Sequence, residues 1–201
     1  MAEDDNDDDL ECWIGLFNKG HGYAGIFNSD DNDAQRVVEK FTIGEWRNSM
    51  KAEFGIEMDE PQPNPNDPPD FSVAIKDQEF AVELVQLVEQ EHKIRAAKGE
   101  TPFAGQLFSD MQWSEERLLA KLHDVISKKE KKYRKAEVEI DVLLIHAAEP
   151  WLNSTEARKW IEGGTINKFP SIHSVFLLFE YEPSSGLDHW PVVPVYGELT
   201  K

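Results

Sequence analysis

The chain has 201 residues, 40% hydrophobic and 10% aromatic, which is enough apolar material for one well-buried domain and too little length for two large ones. A net charge of −18 counts against ordinary duplex binding, because phosphates attract Lys and Arg. No apolar run approaches the roughly 20 residues of a membrane-spanning helix, the N-terminus lacks the basic-then-apolar order of a secretory signal, and the single cysteine, Cys12, excludes an intrachain disulfide. A cytoplasmic protein without a membrane partner is expected.

Residues 1–11, MAEDDNDDDLE, carry seven of the 39 acids and read as a disordered acidic tail. The remainder, 12–201, keeps 32 acids against 21 bases, a net of −11, and reads as a single domain. Two short strands, 12–17 and 23–27, flank GHGYAG, which matches GxGxxG in letters but is followed by IFNSDD and not by a helix that could hold a pyrophosphate. A short amphipathic helix marked by Val37, Val38 and Phe41 follows. A second helix opens on the capping-box pattern Thr42, Ile43, Gly44, Glu45 and ends near Phe54 and Gly55.

DEPQPNPNDPP, 59–69, is a connection, since its prolines forbid a helix. Strands are predicted over 71–76 and 79–88. The polar stretch 89–113 has little periodicity and reads as a long loop or mobile insertion. The clearest helix spans 114–135, with Ser114 as N-cap and Leu118, Leu122, Val125 and Ile126 as its apolar stripe. VEIDVLLIH is a buried strand, residues 155–161 a short helix closed by Gly163 and Gly164, and SVFLLFEYE and VVPVY are late strands. The order points to an α/β domain with a mixed central sheet flanked by helices. VAIK at 73–76 lacks the HRD and DFG of a kinase, and the six histidines show no metal-binding spacing.

The hairpin NDPPDFSVAIKDQEFAVELV carries the chemistry. A two-residue turn at Asp77 and Gln78 would set Lys76 against Glu79, Ser72 against Glu83 and Asp70 against Val85. Asp70, Ser72, Glu83 and Val85 then share one face, and Asp70 and Glu83 are diagonal neighbours about 7 Å apart at Cβ, close enough to hold one hard cation. Phe71, Val73, Ile75, Phe80, Val82 and Leu84 occupy the other face. A buried ion pair is the alternative role for Glu83, because an ionised carboxylate among apolar neighbours needs a partner.

From Pro69 to about Ile145 the chain resembles the PD-(D/E)xK nuclease superfamily, the restriction-endonuclease-like fold. Pro69, Asp70 and Glu83 match the motif, while Val85 stands where its lysine belongs. The likeness is greatest to a bacterial subgroup with PDF, then an acid and an apolar strand, then I--K--KY on a helix; Phe71, Leu87, Ile126, Lys129, Lys132 and Tyr133 fit it. The resemblance implies a metal-dependent phosphodiesterase in which Asp70 and Glu83 bind Mg2+ or Mn2+, with the Leu84 carbonyl as a further ligand. Many members of this fold work as homodimers, though no seam for one is visible in the sequence.

Some members move the lysine to the following helix, and a helical wheel tests this independently. With Leu118 at zero, Lys129 falls at about 20° and Tyr133 at about 60°, within the apolar stripe, and Lys132 at about −40°. Lys129 is therefore the inward lysine, with a snorkelling stem as its alternative. The superfamily also adds a helix acid as a ligand; Glu53, about −20° from Trp46, is preferred to Glu45, which has a capping role. KKEKKYRK supplies Lys128, Lys132, Arg134 and Lys135 for a nucleic-acid backbone. The rival expectation, from Val85 and the acid excess, is a catalytically inactive nuclease-like module that binds a basic protein partner.

Overall fold

The computed structural model describes residues 32–65, 68–98, 100, 105–149 and 151–199. The tail 1–11, Cys12, the strands expected at 12–17 and 23–27 and the GHGYAG turn lie outside the described residues. The chain is α/β, with a six-stranded mixed sheet and helices against both faces.

The first helix, α1, is continuous over Asn32–Phe54. The two helices expected here are one, because the Thr42 hydroxyl donates to the Val38 carbonyl 2.8 Å away and so sits inside a helical turn, not at its start. Gly55, at φ 65°, ends the helix, and its N–H returns to the Lys51 carbonyl. The connection that follows contributes a two-residue strand, β1 (Gln62–Pro63).

The remaining elements are β2 (Phe71–Ile75), β3 (Gln78–Leu87), α2 (Gln90–Ala97), α3 (Phe108–Met111), α4 (Glu115–Ala136), β4 (Ile140–Ala147), α5 (Ser154–Gly163), β5 (Ile172–Phe179) and β6 (Val192–Tyr196). Spatial order follows chain order, with β3, β4 and β5 parallel and the other neighbours antiparallel. A parallel pair needs a long crossover. The crossovers carry α4 and α5, and both helices pack on one face. Hence β4 and β5 are apolar on both sides, as IDVLLIHA and IHSVFLLF read.

Leu118, Leu122, Ile126 and Tyr133 of α4 pack with Leu87, Leu143, Ile145 and Leu177. On the opposite face, Ile43, Trp46 and Met50 of α1 pack with Phe71, Val73, Val82, Val142, Leu144 and Phe176. The Ser114 hydroxyl caps α4 by accepting from the Arg117 N–H.

The stretch 89–113 is a correction, because α2 and α3 occupy much of what reads as a loop. Polar contacts hold its first residue, ahead of α2. The Glu89 N–H donates to the buried Glu149 carboxylate at 2.8 Å, and the Glu89 side chain pairs with Lys121 at 3.0 Å and Arg117 at 3.2 Å from α4. Burial alone would raise the Glu89 pKa, but the hydrogen bonds and charges of Lys121 and then Arg117 hold it below the ordinary carboxylate range.

Candidate active site

The hairpin turns at Lys76 and Asp77, whose φ values of 50° and 65° are those of a type I′ turn, one residue earlier than expected. Ile75 pairs with Gln78 and Phe71 with Val82, so Asp70, just before β2, comes level with Glu83 and not with Val85. The ladder has moved by two positions. A shift of one would have exchanged the faces, but a shift of two preserves them, so the two acids remain on one side and become direct neighbours.

Asp70 leaves the ladder and uses its side chain in place of a strand partner. Its Oδ2 accepts from the Leu84 N–H at 2.7 Å, and its carbonyl accepts from the Asn64 N–H at 2.8 Å. Beyond that point β3 runs on to Leu87 with no strand beside it on the β2 side among the described residues. In a strand the N–H and C=O of one residue point to the same neighbour. The Ala81 N–H donates to Asp141 on the β4 side, whereas the Leu84 N–H donates to Asp70 on the β2 side, so the Leu84 carbonyl also opens toward Asp70.

Glu83 is 1% exposed, and its Oε1 accepts from the Lys129 Nζ at 2.5 Å. Its Oε2 is buried without a hydrogen-bond partner among the described residues. Lys129 rises from α4, inside the apolar stripe, and its ammonium lies 5.9 Å from the Tyr133 ring centroid. The helix thus supplies a lysine to the acid pair, and Val85, two residues past Glu83 on β3, packs against the core.

The Asp70 carboxyl is pushed up from 3.8 to about 6. Burial is the largest cause and the Glu83 charge the next; the Leu84 N–H opposes both, Glu39 adds to the rise, and Lys129 lowers it. Glu39 is the helix acid that faces this site. Its charge acts on Asp70, and it lines a cleft with Leu84 and Val85.

Glu53, expected as a metal ligand, sits elsewhere. It accepts from Arg158 at 2.7 Å and from the Val192 N–H at 2.9 Å, joining α1 to α5 and β6. Since Glu39 and Glu53 are 14 residues apart on one helix, about 21 Å separates them along its axis. Glu45 contributes its carbonyl to the Ser49 hydroxyl. A helix that began at Thr42 would leave Glu39 outside it, whereas α1 is continuous through both. On a continuous wheel Glu39 falls about 20° from Trp46, on the buried side.

The basic residues of α4 divide. Lys132 lies 5.8 Å from the Tyr133 ring centroid, close to Lys129, while Lys128 pairs with Asp124 at 2.7 Å. Arg134 and Lys135 are exposed in the last turn, with Arg134 about 160° round the wheel from Leu118.

Among the described residues no three His, Cys, Asp or Glu side chains form a metal cluster. A magnesium ion, however, can be held by one or two carboxylates with waters completing an octahedron. The donors here are suited to such an ion: Asp70, the Leu84 carbonyl on the same edge, and Glu83, whose buried Oε2 has no hydrogen-bond partner among the described residues. No protein-family model, curated protein or solved structure matches this chain.

Proposed function

We propose that this protein is a metal-dependent phosphodiesterase that cleaves nucleic acid, working in a reducing, cytoplasmic setting. The observation that carries the reading is the approach of Lys129, from a helix, to a buried acid that has Asp70 beside it. Neither strand holds a lysine at this point, so the helix supplies the charge that the motif lacks at Val85.

Asp70, Glu83 and the Leu84 carbonyl would hold Mg2+ or Mn2+. Such an ion, when bound, supplies a lowered pKa for coordinated water and neutralises charge at the phosphate. The Lys129 ammonium donates to Glu83 and retains two further N–H groups, with which it can orient water or meet a phosphate oxygen. Asp70, raised to about 6 in the metal-free site, is mostly ionised at pH 7.5 and so available to such an ion. Lys132 extends the positive field beside the acid pair and would contact the backbone without reading sequence.

Cleavage of labelled single- and double-stranded DNA and RNA, titrated with Mg2+ and Mn2+, tests the reading. Activity should be metal-dependent and fall at least about 100-fold in Asp70→Asn, Glu83→Gln and Lys129→Met, the loss usual when a positioned catalytic group is removed. Cleavage that survives the two acid substitutions would overturn it.

A second reading, an inactive module for a basic protein partner, has its own observation. Asp59, Glu60, Asp77 and Glu79 line one shallow groove of about 470 Å³ at the outer edge of the hairpin, where phosphate would be repelled. Folded protein that cleaves nothing but binds polylysine in a salt-sensitive way would favour this second reading.

A further inference from the structure

The part of β3 beyond its ladder with β2 is bordered by a cleft of about 290 Å³ between α1, α2, β3 and β4. It lies on the α1 side of the sheet, across the strand from Glu83 and Lys129, and shares with Asp70 two links: Leu84, whose N–H holds Asp70, and Glu39, whose charge acts on Asp70, both line it. Three carboxamides, Gln35, Gln86 and Gln90, converge on it with the Lys93 ammonium, and Val38 and Val88 give it apolar walls. The polar groups are already linked in pairs. Lys93 donates to Gln86 Oε1 at 3.3 Å, and Gln35 donates to Glu39 Oε1 at 2.8 Å.

We propose that this cleft is a nucleobase site, which takes the base of the nucleotide next to the scissile phosphate. The inference rests on the phosphodiesterase reading and adds the form of substrate. A carboxamide carries a donor and an acceptor side by side, the complement of a nucleobase edge, and three of them around an apolar slot can hold a base by edge and face. Gln86 lies three residues beyond Glu83 on β3, roughly 10 Å along the strand and on the opposite face, so a nucleotide whose phosphate is held at Asp70 would reach it round the edge of the sheet that the Leu84 carbonyl faces. Lys93 adds a cation where the net charge of the chain is otherwise unfavourable.

Size decides the class of substrate. The cleft is at the lower end of small-ligand sites, which run to about 300–1,000 Å³. One base can enter, but a paired base with its partner strand cannot. A base must therefore be unpaired or turned out of its stack, a cost that is smallest for single strands, mismatches and frayed ends. The enzyme should prefer those over continuous duplex.

The test uses the full-length protein with Mn2+ and a fluorescein-labelled oligothymidylate whose cleavage position is mapped first. The same oligonucleotide is then made with one abasic residue beside the cleaved linkage. The abasic substrate should raise KM about tenfold while kcat changes less, the effect of losing one or two buried hydrogen bonds. Gln86→Leu should raise KM similarly for the intact substrate and add little for the abasic one; a matched duplex should be cleaved more slowly than the single strand. Equal KM for intact and abasic substrates, or equal rates on single strand and duplex, would overturn the base site while leaving the phosphodiesterase reading in place. Wild-type protein that neither binds nor cleaves any oligonucleotide would overturn both. The abasic comparison needs no variant, so it stands even where Gln86→Leu fails to fold.

Discussion

The Lys129 ammonium lies 2.5 Å from a Glu83 carboxylate that is almost wholly buried, and the second oxygen of that carboxylate has no hydrogen-bond partner among the described residues. Removing one partner of a buried pair leaves an uncompensated charge and costs about 3–5 kcal/mol; Lys129 is 21% exposed at its side chain, so about 2–3 kcal/mol is expected for Lys129→Met. Glu83→Gln should cost less, and the double substitution should recover most of the loss. Urea unfolding of the four proteins measures this, and strictly additive changes would show that the pair is not coupled.

Ion binding predicts a second thermodynamic effect. At 100 times the dissociation constant, Mn2+ or Mg2+ should stabilise the folded state by about 2.7 kcal/mol, a rise of roughly 5–10 °C in Tm for a chain of this size. Asp70→Asn and Glu83→Gln should abolish the rise. An equal rise in wild type and both variants would place the ion elsewhere.

Asp70 makes stability depend on pH in a defined direction. Its folded pKa, about 6, lies above the ordinary 3.8, so its contribution to stability is fully present below 3.8 and is lost as pH rises through 6. Asp70→Asn should therefore stabilise the protein at pH 7.5 by about 1–2 kcal/mol, allowing for screening of a partly exposed group, and change little at pH 3.5. The carboxamide can still accept from the Leu84 N–H. A destabilising effect at pH 7.5 would argue that Asp70 is an ordinary structural acid.

The two helix acids should separate cleanly. Because Glu39 raises the pKa of Asp70 in the metal-free site, Glu39→Gln should move the acidic limb of the metal-dependent cleavage profile, where protons compete with the ion for Asp70, to lower pH. Glu53→Gln should weaken the Arg158 pair and the Val192 contact, costing about 1–3 kcal/mol of stability, and leave that limb where it is. A shift with Glu53→Gln and none with Glu39→Gln would reverse the assignment.

Local periodicity carried much of this architecture in the sequence. Alternation along β2 and β3 puts Asp70 and Glu83 on one face, and a turn displaced by one residue leaves them there, because a two-position slip preserves the parity of a strand. The 3.6-residue period of α4 aimed Lys129 at the core, and the Ser114 cap gave its start. These features depend on neighbours a few residues away, which sequence records directly.

Other features depend on partners far along the chain. Glu53 is drawn to Arg158, 105 residues later, and Glu89 to Lys121 and Arg117, so neither the loss of the expected ligand nor the anchoring of the chain ahead of α2 is visible locally. Thr42 has the sequence pattern of a cap, but its hydroxyl bonds one turn back within a continuous helix, and that continuity puts Glu39 on the same buried side as Trp46. The sequence by itself determined which residues face inward, since that is a matter of period. Only the tertiary structure decided which inward groups meet, because the charge on Glu83 is tolerable only where packing of α4 on β3 brings Lys129 to it.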